Sequence, residues 1–371
     1  MKRFTRSAIL LLLSVFALTL LFGCVPFDLS SLLPGGASES ESVVVLTPEP
    51  TDVPAPEPTE ASMLEPTEAP APEPTEAPTP EPTEAPTPES TEAPTPELPS
   101  SFLFGGEEVW AGQTAVKVTG KKEAIIRITP EEMDMLIRLC PNLTNLELCY
   151  CCMPDYSRIG ELTSLKRLLI SSTTHEKDPG IPLVDIDWIA SLKDLRYLNL
   201  TYNQINDIRA ISELTNLEQL NLGWNALSDE DLDWLTGLNL TELYLYCNTS
   251  LRDVSPLAKI KSLEMLHIGG NRKVKGLKKL TALSKLKTLD ISYCPNDSFI
   301  WIKDFKKLET LRIEYSDYID YYAYYDLMQS KTLRTVVISK KDKKTETALK
   351  DMIKDFHPDI EIAYWEDYSG N

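Results

Sequence analysis

Between Leu143 and Ile338 the apolar residues keep neither the 3.6-residue period of a helix nor the steady alternation of a strand. The stretch LRYLNLTYNQINDI, residues 195–208, shows the unit: leucines at 195, 198 and 200, asparagine at 203, isoleucines at 205 and 208. Such a run predicts a short strand, a turn and a loosely wound return, and it cannot bury its apolar side alone. It recurs. The first leucine reappears as Leu143, Leu165, Leu195, Leu217, Leu240, Leu263, Leu286, Leu308 and Leu333, at intervals of 22 to 25 residues except for one of 30. Three residues on stands Leu or Val, as in Leu146, Leu198, Leu243 and Val336, and five residues on Leu or Ile, as in Leu148, Ile170, Leu222 and Ile338. Eight residues on stand Asn203, Asn225, Asn248 and Asn271, with Cys151 and Cys294 in the same slot elsewhere. Self-similarity at this period is the signature of a solenoid.

The spacing has a mechanical meaning. Alternating apolar residues give a strand of three or four residues with one buried face, and strands from successive repeats stack in parallel. The slot-eight asparagine falls where the chain must turn, so a buried amide there can bond backbone groups that the bend leaves unpaired. Cys151 and Cys294 fit the slot as small buried groups, Thr173 and Ser316 as weaker substitutes, while Ile205, Ile208, Ile211 and Leu214 fill the convex side. The pattern L-x-x-L-x-L-x-x-N/C-x-L resembles the leucine-rich repeat. Its 22-residue form, in pieces such as NDIRAISELTNLEQL and RDVSPLAKIKSLEML, is similar to the bacterial internalin type over roughly Ala124 to Ile362. The resemblance implies an α/β fold, a curved leucine-rich repeat solenoid with a parallel concave β-sheet.

Such a stack needs covered ends. EEVWAGQTAVKVTGKKE predicts a small β-hairpin, and EAIIRITPEEMDMLIRLC a leading strand with Ile126 and Ile128, then a helix opened by Thr129-Pro130-Glu131-Glu132. DKKTETALKDMIKDFHPDIEIAYWEDY predicts a closing helix and a final strand. Residues 102–371 are therefore expected to form one domain, with a hairpin/helix cap before the repeats and a helix/strand cap after them, because a solenoid grows in one dimension.

Residues 1–23 read as a targeting segment: Lys2, Arg3 and Arg6 precede an apolar run from Ala8 to Phe22. Leu21-Phe22-Gly23-Cys24 resembles the bacterial lipoprotein signal, which implies that Cys24 is lipidated and holds the mature chain on the outer face of the cell membrane. An ordinary cleaved signal peptide and an uncleaved anchor are the alternatives. Residues 24–101 form a Pro/Glu/Thr-rich tether whose period over 65–96 is eight residues, EPTEAPAP, EPTEAPTP twice and ESTEAPTP. Its proline density opposes helix and central strand and favours polyproline II.

Charge sharpens the division. The chain has a formal net charge of −19, yet Gly35 to Ser100 holds fourteen Glu and one Asp with no Lys or Arg, leaving −6 on residues 102–371. An extended acidic tether at ~3.1 Å per residue would reach ~200 Å, as a spacer crossing a cell wall or as a generic flexible stalk. Its threonines beside prolines could also carry sugar.

Chemical motifs are wanting. His175, His267 and His357 fall in separate repeats and the closing segment, none with a second ligand at metal spacing, and no glycine-rich phosphate loop, nucleophile elbow or HExxH occurs. The cluster Cys149, Cys151 and Cys152, with Cys140 nearby, lacks a paired C-x-x-C. Register places Cys151 in the asparagine slot and Cys140 in a core position, so structural cysteine is the favoured reading and a disulfide involving Cys149 or Cys152 stays open. The chain is accordingly expected to be a monomer and not an enzyme, with no cofactor and no metal. The basic stretches RKVKGLKKL and KKDKK read as a solvated face rather than a nucleic-acid stripe.

What remains is the concave surface. Outward strand positions and the turn residue at slot seven bring Tyr197, Tyr202, Trp224, Tyr244, Tyr246, His267, Tyr293 and Tyr315 into columns about 5 Å apart. Tyr and Trp in a column are suited to anchor a partner, with Asn199, Asn221, Gln219, Glu242, Asp290 and Arg312 as polar neighbours. The competing reading packs the slot-seven residues against the rim of the next repeat. The expected partner is a protein on a host or cell surface, or alternatively a cell-wall glycan, since the same rings stack on sugars. The acidic aromatic segment Tyr315 to Asp326 is expected to be part packing and part convex surface.

Overall fold

Each repeat contributes one strand whose apolar members point inward and whose other residues point to the concave side. A computed structural model describes residues 98–175, 178–296, 298–314, 321–341 and 343–364. Strands β1 (Ser101–Phe104) and β2 (Glu107–Trp110) form an antiparallel hairpin. They are followed by β3 (Ala115–Thr119), β4 (Ile126–Arg127), β5 (Asn145–Cys149), β6 (Cys151–Cys152) and β7 (Arg167–Ser171). The regular repeats supply β8 (Tyr197–Asn199), β9 (Gln219–Asn221), β10 (Glu242–Tyr244), β11 (Met265–His267), β12 (Thr288–Asp290) and β13 (Thr310–Arg312). Strands β14 (Thr335–Ile338) and β15 (Glu361–Tyr364) end the series.

An 11-stranded sheet runs in the order β15-β14-β13-β12-β11-β10-β9-β8-β7-β5-β3. Every neighbouring pair in it is parallel, and the register aligns equivalent residues, Leu198 with Leu220, Leu220 with Leu243, and Leu243 with Leu266. A single continuous core results. Every marker leucine from Leu143 to Leu333 is fully buried, and each such side chain is worth about 1.5–3 kcal/mol relative to exposure.

On the convex side the chain returns through single 3₁₀ turns, such as Arg209–Glu213 and Ser255–Lys259, rather than α-helices. Asp155, Asp185, Asp207 and Asp253 start four of them by accepting the backbone N–H two residues on. Short α-helices, Asp231–Trp234 and Tyr321–Leu327, take that place in two repeats.

The asparagine slot is a continuous ladder. Asn248, fully buried, donates through Nδ2 to the carbonyls of Leu222 (2.9 Å) and Leu245 (3.0 Å) and accepts the Leu227 N–H at Oδ1 (3.1 Å). Asn225 repeats the set with Leu200, Leu222 and Ile205, and Asn203 donates to Ile170 and Leu200. Each slot-five carbonyl in the middle therefore receives two asparagines, one from its own repeat and one from the next. Cys294 keeps one rung, its S–H reaching the Ile268 carbonyl at 3.2 Å. Thr173 is fully buried and donates to Asn203 Oδ1 at 2.9 Å, while its hydroxyl accepts the Leu183 N–H. Ser316 lies outside the described residues.

The N-terminal end differs from expectation. The hairpin is confined to β1 and β2, whereas the TAVKVT stretch forms β3, the edge strand of the main sheet. Ile126 does not lead the sheet. It pairs with Cys151 in a separate two-stranded ladder beyond the bend, and Ile128 is buried outside any strand. The helix α1 (Pro130–Leu139) starts as read: Thr129 accepts the Glu132 N–H at 3.2 Å, and Glu132 returns the bond to the Thr129 N–H at 2.7 Å, a reciprocal cap. The closing segment forms a helix, Lys343–Phe356, followed by β15. Of the acidic aromatic segment, residues 315–320 lie outside the described residues, and Tyr321–Leu327 is helical with Ala323, Tyr324 and Leu327 buried.

Candidate functional site

The slot-seven residues share a backbone state that their side chains do not favour. Tyr150, Ser172, Tyr202, Trp224, Cys247 and Tyr293 all have φ between 50° and 59°, and Gly270 occupies the same slot at 80°. Left-handed geometry is uncommon for residues with a Cβ and costs an L-residue about 1–2 kcal/mol. A second ladder holds it. Each slot-seven N–H donates to the slot-six carbonyl of the following repeat, Tyr202 to Gly223 (3.1 Å), Trp224 to Tyr246 (2.8 Å) and Tyr293 to Glu314 (3.0 Å). Slot eight then closes the turn through its buried asparagine. The bend thus throws the slot-seven side chain clear of the strand.

Three of the expected residues come together. Tyr202 and Trp224 stack at 5.0 Å between ring centroids with planes 14° apart, and Tyr202 keeps 48% of its surface exposed. Tyr246 lies over Gly223, so closely that a Cβ on that glycine would sit 2.4 Å from the ring. Gly223 therefore makes room for the third ring. The sequence pattern did not single it out, although a glycine just past a strand is where backbone and a neighbouring ring can approach closely.

Other expected residues form separate contacts. The Arg167 guanidinium covers the Tyr197 ring at 3.5 Å, and Arg272 lies 5.4 Å from the Tyr293 ring. Tyr244 meets His267 at 4.7 Å and donates its hydroxyl to Glu242 at 3.0 Å. His267 approaches Asp290 at 3.5 Å, and Arg312 bridges Asp290 at 3.6 Å and Glu314 at 2.7 Å. Burial pushes the Asp290 carboxyl up, but the His267 hydrogen bond and the Arg312 charge hold it below the ordinary carboxylate range. Tyr315 and Cys24 lie outside the described residues.

The polar neighbours are less free than their outward positions implied. Asn199 accepts the Thr201 N–H (3.0 Å), Asn221 that of Gly223 (3.0 Å) and Asp290 that of Ser292 (2.9 Å). Side chains in slot four thus bond the backbone two residues on, an Asx-type turn that guides the strand into the bend. Gln219 is paired to Glu242 at 3.0 Å. The face offers aromatic area first and polar groups second.

Cys140, Cys149, Cys151, Cys152 and Cys294 are free thiols, and burial pushes Cys151 up to about 12, against any reactive role. Among the described residues no group of three His, Cys, Asp or Glu could hold a metal ion, and no helix is long and apolar enough to cross a membrane.

The leucine rich repeat family profile matches residues 181–227. No curated protein matches the chain. Among solved structures, an internalin of Listeria monocytogenes is 19% identical, with a TM-score of 0.38, over 67% of this chain and 86% of that one. An internalin C2 of the same species is 24% identical, with a TM-score of 0.38, over 60% and 80%. The Arabidopsis receptor kinase HAESA, in complex with the peptide hormone IDA and the co-receptor SERK1, is 20% identical, with a TM-score of 0.40, over 62% and 40%. The registered parallel sheet and the asparagine ladder make this fold a leucine-rich repeat solenoid.

Proposed function

We propose that the chain is a non-catalytic recognition module, lipid-anchored at Cys24 on the outer face of a bacterial membrane, that binds a protein through the concave face of its middle repeats. One observation carries the binding reading: Tyr202 and Trp224 stack on each other with one ring half exposed, and both stand in a strained backbone state that only glycine adopts freely. Rings serving only to pack the rim would be covered by the next repeat. Large, stiff, amphipathic side chains in a shallow sheet are suited to anchor a protein surface. Scaffolds of this kind host many partners, so the surface and not the fold supports the reading.

The anchor has its own test. Cys24→Ala is expected to move the protein from the membrane fraction into the medium, and an unmodified mature N-terminus away from Cys24 in the wild type would remove the lipid from the proposal. For the face, a photoreactive residue placed at Tyr202 of the full chain is expected to capture a protein on intact surfaces. The same probe on the convex side, at Ser212, should capture none. Glycan capture at Tyr202 instead would favour the sugar-binding reading.

A further inference from the structure

A second surface lies outside the concave face. Ahead of each strand the main chain is held in register by Lys287 N–H to the Glu264 carbonyl (2.8 Å), Glu309 to Lys287 (2.9 Å) and Arg334 to Glu309 (2.8 Å). Those side chains alternate in sign, and Lys287 pairs with Glu264 at 2.8 Å. Just before them the alternation stops. Lys261, Lys285, Lys306, Lys307 and Lys331 occupy the one or two positions preceding the marker leucines of four consecutive repeats, and all five are exposed. Lys261 donates only to the carbonyls of Ala258 and Ala282, and among the described residues no carboxylate lies within ion-pair distance of any of the five. Their field is felt nearby, since Lys287 first, then Lys285 and Lys307, hold Glu264 below its ordinary value.

The row belongs to a larger asymmetry that the modest net charge of the repeats conceals. Residues 124–258 carry ten Lys and Arg against twenty Asp and Glu, whereas residues 259–344 carry nineteen against ten. A surface of like charges repeating at about the 4.8 Å strand spacing lacks a counterpart unless something of opposite sign, also repeating, lies along it. Ser262, Ser284 and Thr332 intervene, and no aromatic residue does. Charge without stacking platforms suits a backbone of phosphodiesters better than the bases of a nucleic acid.

We propose that a linear polyol-phosphate chain docks along this lysine row, independently of the concave face. The test uses the full chain and a fluorescent glycerol-phosphate oligomer of about ten units, with oligothymidylate of equal length as competitor. Saturable binding is expected at about 50 mM salt, weakening by tens of fold toward about 200 mM as several contacts release counterions. A variant carrying K285E, K306E and K307E should bind at least about tenfold more weakly, with unchanged thermal unfolding because all three side chains are exposed. Trp224→Ala should bind like the wild type, so failure of the concave-face reading leaves this one standing. No binding at low salt, equal affinity in the lysine variant, or clear preference for oligothymidylate would overturn the proposal.

Discussion

Asn248→Leu is expected to lower the unfolding free energy by about 1–3 kcal/mol, the cost of one buried backbone group left without a partner. That group is the Leu227 N–H, whereas the Leu222 and Leu245 carbonyls each lose one amide and keep another, from Asn225 and Asn271. Leucine matches the side chain in size but can neither donate nor accept, so apolar gain does not offset the loss. Asn248→Cys should fall between the two, because Cys294 shows that a thiol in this slot keeps one rung, to the Ile268 carbonyl. Denaturant midpoints with matched slopes check the order, wild type above the cysteine variant above the leucine variant. Equal midpoints would mean that the ladder contributes nothing to stability.

Trp224→Ala is expected to weaken partner binding by about 2 kcal/mol or more, close to thirtyfold in Kd. Stability should fall less, since the stacking with Tyr202 is worth about 0.5–1.5 kcal/mol and the side chain is only partly buried. Trp224→Gly separates the two effects. Its φ of 55° suits glycine, so relief of backbone strain should hold stability within about 1 kcal/mol of wild type while affinity is lost. If the ring served only the rim, both variants would unfold early and whatever stayed folded would bind normally. A stable Trp224→Ala protein with full affinity excludes this residue from the interface.

The repeats were legible because their period is imposed by packing: a leucine every 22 or 23 residues must meet its neighbour, and register follows from that alone. The buried asparagine was legible for the same reason, as a polar residue recurring inside an apolar pattern. The N-terminal end was not. TAVKVT and AIIRI both alternate, and only pairing decides between them: Val116 opposite Leu146 in the main sheet, Ile126 opposite Cys151 beyond the bend. Nor was the left-handed turn visible. Gly270 alone carries the usual residue type for it, and tyrosine and tryptophan in the other repeats hide the conformation. The polar neighbours misled because Asn199 and Asn221 read as outward groups, whereas their reach to a backbone N–H two residues away is a local matter that facing does not reveal.

The left-handed turns make slot seven a row of interchangeable sockets. Tyr150, Ser172, Tyr202 and Trp224 differ in size and chemistry, yet their φ angles all lie between 50° and 58°, because the main chain on one side and slot eight on the other fix the bend. Choice of side chain there is decoupled from folding. Gly270, one repeat beyond Cys247, holds the same bend with no side chain at all, and a residue with a Cβ there would carry about 1–2 kcal/mol of local strain. A surface built this way can follow a changing partner one residue per repeat, while the leucines and asparagines behind it remain as they are.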